Sequence, residues 1–162
     1  MRNKQFSKAC FYNALAALCL EYPYDEVQIS QICQKAGFNR STCYRTYQTK
    51  EDILKEKIVE LIKEYNEDCK NKKLDKYQSV VYMFSFYRKN SEAFKLMHTA
   101  HFDSLMQQVS LEKFPLDTQH GCGEYKKIYV LGGYLAVLTH WLETGMNESD
   151  ETMAKNIYDL RL

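Results

Sequence analysis

QISQICQKAGFNRSTCYRTYQTKEDIL, residues 28–54, decides how the rest of the chain is read. Ile29, Ile32, Cys33 and Ala36 recur at helical spacing, which predicts a short helix with one packed face. Gly37 supplies the backbone freedom a helix end needs. Asn39 is a good N-cap, and Arg40 to Tyr47 follow as a second short helix. Thr49 and Asp52 form a Thr-x-x-Asp run that resembles a capping box ahead of a longer amphipathic segment. Two short helices around a glycine turn, the second presenting Arg40, Ser41, Thr42, Tyr44, Arg45 and Thr46, have the form of a helix-turn-helix. The plainer alternative is an ordinary helical hairpin in which Tyr44 and Tyr47 are both core. In a helix-turn-helix, Arg40, Ser41 and Thr42 would stand at the end that points at base edges, where Arg can grip guanine with two hydrogen bonds and Ser or Thr can serve several bases.

The run AGFNRSTCYRTYQTKEDIL, from Ala36 through Leu54, resembles the signature of the TetR/AcrR family of bacterial transcriptional regulators. That signature is Ala-Gly, an apolar residue, Ser or Asn followed by Arg, then Thr, an apolar residue and Tyr, an aromatic pair, and Ser or Thr followed by Lys, an acid and Leu. The resemblance implies an all-α protein, with an N-terminal three-helix helix-turn-helix unit and a short helical ligand-binding and dimerisation domain. It also implies that Thr42, Tyr44, Thr46 and Lys50 sit where such proteins commonly touch phosphate or the groove floor, and that Tyr47 packs the three-helix core. Gln28 departs from the pattern, which has Thr or Ser at the start of that helix. Gln is a poor N-cap, so Ser30 or Asp25 is expected to take part of the capping role, while Gln28 and Ser30 stand among the candidate DNA-binding residues. Cys43 replaces a larger apolar residue, which predicts a slightly looser core.

The 162 residues allow one sizeable core or two small helical units sharing one. Apolar residues make up 45% and charged residues 27%, an ordinary balance for a globular protein, and two prolines with six glycines favour helix over a turn-rich β fold. The net charge of +1 is unevenly placed: residues 1–50 carry seven Lys and Arg against three acids, leaving the remainder at −3. A basic N-terminal third suits a local footprint on phosphates. Six cysteines occur without a Cys-x-x-Cys pair, so neither zinc nor thioredoxin-type chemistry is indicated. Cys10, Cys19, Cys33 and Cys43 are expected to be reduced core thiols in a cytoplasmic protein. No leader or membrane-spanning run is read.

Residues 4–20 predict a first helix with Phe6, Cys10, Ala14, Leu15, Leu18 and Cys19 on one stripe, edged by Arg2, Lys4 and Lys8. Pro23 breaks it. A long helix over about 50–70 buries Ile53, Leu54, Ile58, Leu61, Ile62 and Tyr65 and is the natural mechanical link. Three parts are therefore expected: a DNA-binding unit at 1–48, a connector helix at 49–73 and a regulatory and dimerisation domain at 74–162. Within the last, residues 74–88 predict a buried helix, and Ser91 opens another that runs past Met106. Pro115 and Gly121-Cys122-Gly123 predict a loop over 110–123. Residues 124–144 are apolar almost all round, so that helix needs two burial partners, one of them plausibly a second copy of the chain. Gly145 ends it, and Ser149 and Asp150 cap a final helix striped by Met153, Ile157 and Leu160.

From this pattern Tyr82, Phe86, Met97, His101, Tyr134 and Trp141 are candidate pocket-lining residues, with plain core as the competing role. Tyr125, Ile128, Gly132, Leu135, Leu142, Met153 and Ile157 are candidates for a dimer interface. His98 and His101 share a helix face, but no acidic or thiol partner stands at ligand spacing, so no metal is expected. No phosphate loop, nucleophile elbow or His-Glu-x-x-His run occurs, and neither an enzyme nor a cofactor is expected. The sequence therefore points to a transcriptional regulator binding double-stranded DNA as a homodimer on a near-palindromic operator, a ligand-responsive repressor with a possible small-molecule effector. The alternative is an activator controlled by a protein docking on the C-terminal domain.

Overall fold

A computed structural model of the chain describes residues 2–113 and 123–158, with side chains from Phe6 onward. Helices account for all of its regular structure among the described residues: α1 (Arg2–Cys19), α2 (Ile29–Lys35), α3 (Arg40–Thr46), α4 (Lys50–Asn71), α5 (Lys76–Lys89), α6 (Ser91–Thr99), α7 (Asp103–Lys113), α8 (Gly123–Glu143) and α9 (Asp150–Tyr158), with a 3₁₀ turn at Tyr24–Glu26. The side chains of Arg2 and Lys4, and the positions of Pro115, His120, Gly121, Cys122 and Leu160, lie outside the described residues.

Three apolar clusters organise these helices. The first joins Phe11, Leu15 and Leu18 of α1 with Ile32, Cys33, Cys43, Tyr47, Ile53 and Leu54. Leu96 and Ala100, from α6 and its C-cap, belong to it as well. The second lies between α4, α6 and α7, around Ile58, Leu61, Met97, Met106 and Val109. The third joins α5, α8 and α9 around Phe84, Tyr87, Leu138, Trp141 and Ala154. Arg88 closes that third cluster. It lies 4.6 Å from the Trp141 ring centroid and donates to Asp150 Oδ1 at 2.9 Å and to the carbonyls of Met146 and Glu148 at 2.8 and 2.7 Å.

Several expectations need correction. In α1 the buried residues are Phe11, Ala14, Leu15 and Leu18, an i, i+3, i+4, i+7 set, whereas Phe6 is 67% exposed. The helix expected to run from Ser91 past Met106 is two helices. It stops because His101 takes φ 59° without being glycine. The N–H groups of His101 and Phe102 then return to the carbonyls of His98 and Met97, a Schellman closure, and Asp103 restarts the helix. Residues 110–113 of the expected loop belong to α7, with Ser110 buried; residues 114–122 lie outside the described residues. Helix α8 buries Leu131, Leu138 and Trp141 on one side only, and Tyr125 and Tyr129 on its first turns are 82% and 70% exposed. Cys33 and Cys43 are joined as a disulfide rather than reduced, because the packed faces of α2 and α3 bring their Cα atoms to 5.9 Å, within bridging range. Cys10, Cys19 and Cys69 are free thiols.

His98 bridges the α6–α7 break to the end of α8. Its Nδ1 faces Asp103 Oδ1 at 3.1 Å and its Nε2 faces Glu143 Oε1 at 3.1 Å. The Asp103 hydrogen bond holds its pKa above the ordinary imidazole value. A raised folded value means the stabilisation is complete below the unfolded pKa and is lost as pH rises through the folded one. His98→Gln should therefore lower the melting temperature at pH 5.5, and the gap to wild type should shrink by pH 8.5 in parallel thermal melts. An equal gap at both pH values would exclude the charged pairings as its origin.

Candidate nucleic-acid interface

The reading unit is assembled by local signals. Gly37, at φ 76°, ends α2, and the Phe38 N–H reaches back to the Cys33 carbonyl at 3.0 Å. Asn39 Oδ1 accepts from the Thr42 N–H at 2.9 Å and from the Ser41 hydroxyl at 3.0 Å, which fixes the start of α3. Thr49 and Asp52 make a reciprocal capping box at the start of α4. The Gln28 cap is reinforced by Gln31, whose Oε1 accepts the Gln28 N–H at 2.7 Å; neither Ser30 nor Asp25 was needed for this. Phe11 backs the unit, with its ring 4.9 Å from Phe38 and 5.5 Å, edge-on, from Tyr47.

On this frame α3 presents Arg40, Ser41, Tyr44 and Arg45 outward, with Tyr44 50% exposed, while Cys43 and Tyr47 face inward. Thr42 and Thr46 are half-buried, and the Thr46 hydroxyl donates to the Thr42 carbonyl at 2.9 Å. Gln28 is exposed and Ser30 half-buried at the start of α2. A groove of about 860 Å³ runs between α1, α3 and α4, lined among others by Lys8, Thr42, Arg45, Thr46, Lys55 and Glu56. Glu56 there accepts hydrogen bonds from both Lys8 and the Tyr47 hydroxyl, so Lys8 is already paired within the chain. Burial, followed by the Glu60 and Asp52 carboxylates, pushes the Tyr47 phenol up to about 12, and it stays a neutral donor.

Lys50 is placed differently from its neighbours. Its ammonium is half-buried and donates to the carbonyls of Tyr24, Asp25 and Val27. Nothing in the local sequence signals this contact, since its partners lie more than twenty residues upstream.

The candidate pocket residues do not converge. Tyr82, Phe86 and Met97 belong to the second cluster, Tyr134 and Trp141 to the third, and His101 is exposed beyond the end of α6. The Trp141 indole N–H is buried without a hydrogen-bond partner among the described residues. Among the interface candidates, Tyr125 and Ile128 are exposed. Leu135 packs on the second cluster, and Leu142, Met153 and Ile157 pack on the third. A Cβ on Gly132 would meet the Gln107 side chain of α7 at 3.5 Å, an ordinary contact, so the neighbour on that face belongs to the same chain and its approach does not depend on the glycine. The two ring nitrogens of His98 aim its carboxylate partners in opposite directions, and no three His, Cys, Asp or Glu side chains gather as a metal site among the described residues. No helix among them is long and apolar enough to cross a membrane.

Comparisons with known proteins bear on this unit directly. A model of the bacterial regulatory proteins of the tetR family matches residues 11–56. A fatty acid metabolism regulator protein of Bacillus subtilis (strain 168) is 27% identical over 166 aligned residues, spanning all of this chain and 78% of the relative. The fold is similar to that of a TetR transcriptional regulator from Streptococcus agalactiae 2603V, with a TM-score of 0.66 at 20% identity over 98% of this chain and 95% of that one. It is also similar to a fatty acid degradation regulator from Bacillus halodurans, with a TM-score of 0.57 at 14% identity over 94% and 96% of the two chains. The family match covers the capped helix-turn-helix at residues 11–56, and the all-helical fold around it is similar to that of a TetR transcriptional regulator.

Proposed function

We propose that the protein is a ligand-responsive repressor that binds a near-palindromic operator as a homodimer in the cytoplasm. The observation that carries this reading is α3 itself, capped by Asn39 and turned so that Arg40, Ser41, Tyr44 and Arg45 face outward from a buried Cys43 and Tyr47. One such helix reads only a few base pairs, and two of them about 34 Å apart multiply their affinities. The exposed Tyr125, Ile128 and Tyr129 of α8 support a second copy seated on that face. Residues 1–48 would read DNA, 49–73 would connect, and 74–162 would bind effector and partner. The name of the Bacillus subtilis relative supports genes of fatty acid metabolism as targets. The indole N–H of Trp141, without a partner among the described residues, is a polar atom that an effector could satisfy. Effector binding would favour an arrangement whose recognition helices no longer match successive major grooves.

Selection of bound sequences from a random DNA pool tests the class and yields the operator together. Two half-sites at fixed spacing are expected, and single, unspaced sites would remove the dimer. On the selected DNA, Arg40→Ala should weaken binding by roughly 5- to 150-fold, the equivalent of about 1–3 kcal/mol, and relax preference at one base pair per half-site. A uniform loss across all sequences would reassign Arg40 to the phosphate backbone.

A further inference from the structure

We infer that Lys50 is a positioning residue and not a phosphate ligand: its ammonium pins the first turn of α4 to the Tyr24–Val27 turn, and Phe102 ties that pin to the C-terminal half. The inference rests on α3 being the DNA-reading helix. A lysine ammonium has three N–H donors and no more. Those of Lys50 have three acceptors at hand, the carbonyls of Tyr24 at 2.6 Å, Asp25 at 3.2 Å and Val27 at 3.0 Å. The Tyr24 ring centroid lies 4.3 Å from the same nitrogen. No N–H is left over for a DNA phosphate.

The joint has a second side. Tyr24 is buried, its hydroxyl donates to Glu51 Oε1 at 3.2 Å, and so the first two residues of α4 both hold it. Its ring meets the Phe102 ring edge-on at 5.9 Å. Phe102 is itself fixed between α6 and α7, with its N–H on the Met97 carbonyl at 2.9 Å and its carbonyl accepting from Met106 at 2.8 Å. It packs against both the first and the second apolar clusters. The C-terminal half therefore touches the start of α4 through Phe102 and Tyr24, with only three residues between it and the end of α3. Removing the ammonium would leave the carbonyls of two buried residues, Tyr24 and Val27, without this donor and would free α4 to shift against α1 and α2.

A salt series separates positioning from phosphate contact. A lost phosphate contact lowers the slope of log affinity against log salt by about 0.9, whereas a lost positioning contact weakens binding with the slope intact. On DNA selected from the random pool, Lys50→Met and Lys50→Arg should each bind about tenfold more weakly with the wild-type slope. The arginine variant is informative because its planar guanidinium does not fit a three-carbonyl cup but would serve a phosphate well. Phe102→Leu should bind about threefold more weakly, again with the slope intact. A reduced slope for Lys50→Met, or wild-type affinity for Lys50→Arg, would overturn the assignment. Wild-type affinity for Phe102→Leu would overturn the tie to the C-terminal half. Thermal melts accompany each variant, and if Lys50→Met does not fold, Lys50→Arg alone decides. Failure of the wild type to bind any DNA at low salt would remove the DNA-reading role of α3, and this inference with it, before any variant is compared.

Discussion

Phe11→Ala is expected to destabilise the protein by about 3–5 kcal/mol and to abolish DNA binding at temperatures where the wild type is still folded. The side chain is 1% exposed and is the contact between α1 and both ends of the reading unit. Phe38, against which its ring lies, is the residue that closes α2 after Gly37, and Tyr47, which it meets edge-on, is the C-cap of α3. Truncation would leave a cavity at the meeting point of three helices, two of them only seven residues long. Helices that short have little stability of their own and depend on tertiary packing. Denaturant unfolding of the variant should show a lower midpoint, and a gel-shift should show no complex at a temperature where the wild type is fully bound. An unfolding free energy within about 1 kcal/mol of wild type would mean that the α1–α3 core does not hold the reading unit.

Arg88→Ala should cost about 2 kcal/mol and act at the other end of the molecule. The guanidinium makes three hydrogen bonds across the α8–α9 connection, two of them to main-chain carbonyls, and lies over Trp141. Its side chain is 41% exposed, which discounts the ion pair with Asp150 but not the geometry of the two carbonyl contacts. Without it the turn around Met146, itself at φ 54°, loses its main restraint. Hydrogen exchange should then show faster exchange in α9 and at the end of α8, with α1–α3 unchanged. Arg88→Lys should recover only part of the loss, because one ammonium cannot reproduce the planar fork.

The reading unit was legible because its signals are local. Gly37, Asn39 and the Thr49–Asp52 box each act within a few residues of themselves, and each appears in the structure at the position read from the chain. Burial along α4 was legible for the same reason, with Ile53, Leu54, Ile58, Leu61, Ile62 and Tyr65 all buried. What depended on distant partners was not. Phe6 and Phe11 both fit a helical stripe, and only the position of Phe38 and Tyr47 chooses Phe11. The break after α6 carries no glycine or proline; His101 accepts a left-handed conformation because the Schellman bonds and the His98–Asp103 contact hold it there. Spacing alone did not show that Cys33 and Cys43 meet across the turn, because their separation is set by how α2 and α3 cross. The pocket candidates are spread over two adjoining apolar clusters and, for His101, the surface after α6, an arrangement that depends on how distant helices pack.

Leu96 and Ala100 lie in the same apolar cluster as Phe11, Ile32 and Leu54. The reading head is therefore not a detachable module, because part of its interior is built from residues more than forty positions downstream. A swap of the head alone would cut the chain at the end of the connecting helix. Here such a cut would leave an apolar hole in the transplanted head unless the recipient brought its own match for Leu96, Ala100 and Phe102. The unit to exchange is the head together with the end of α6.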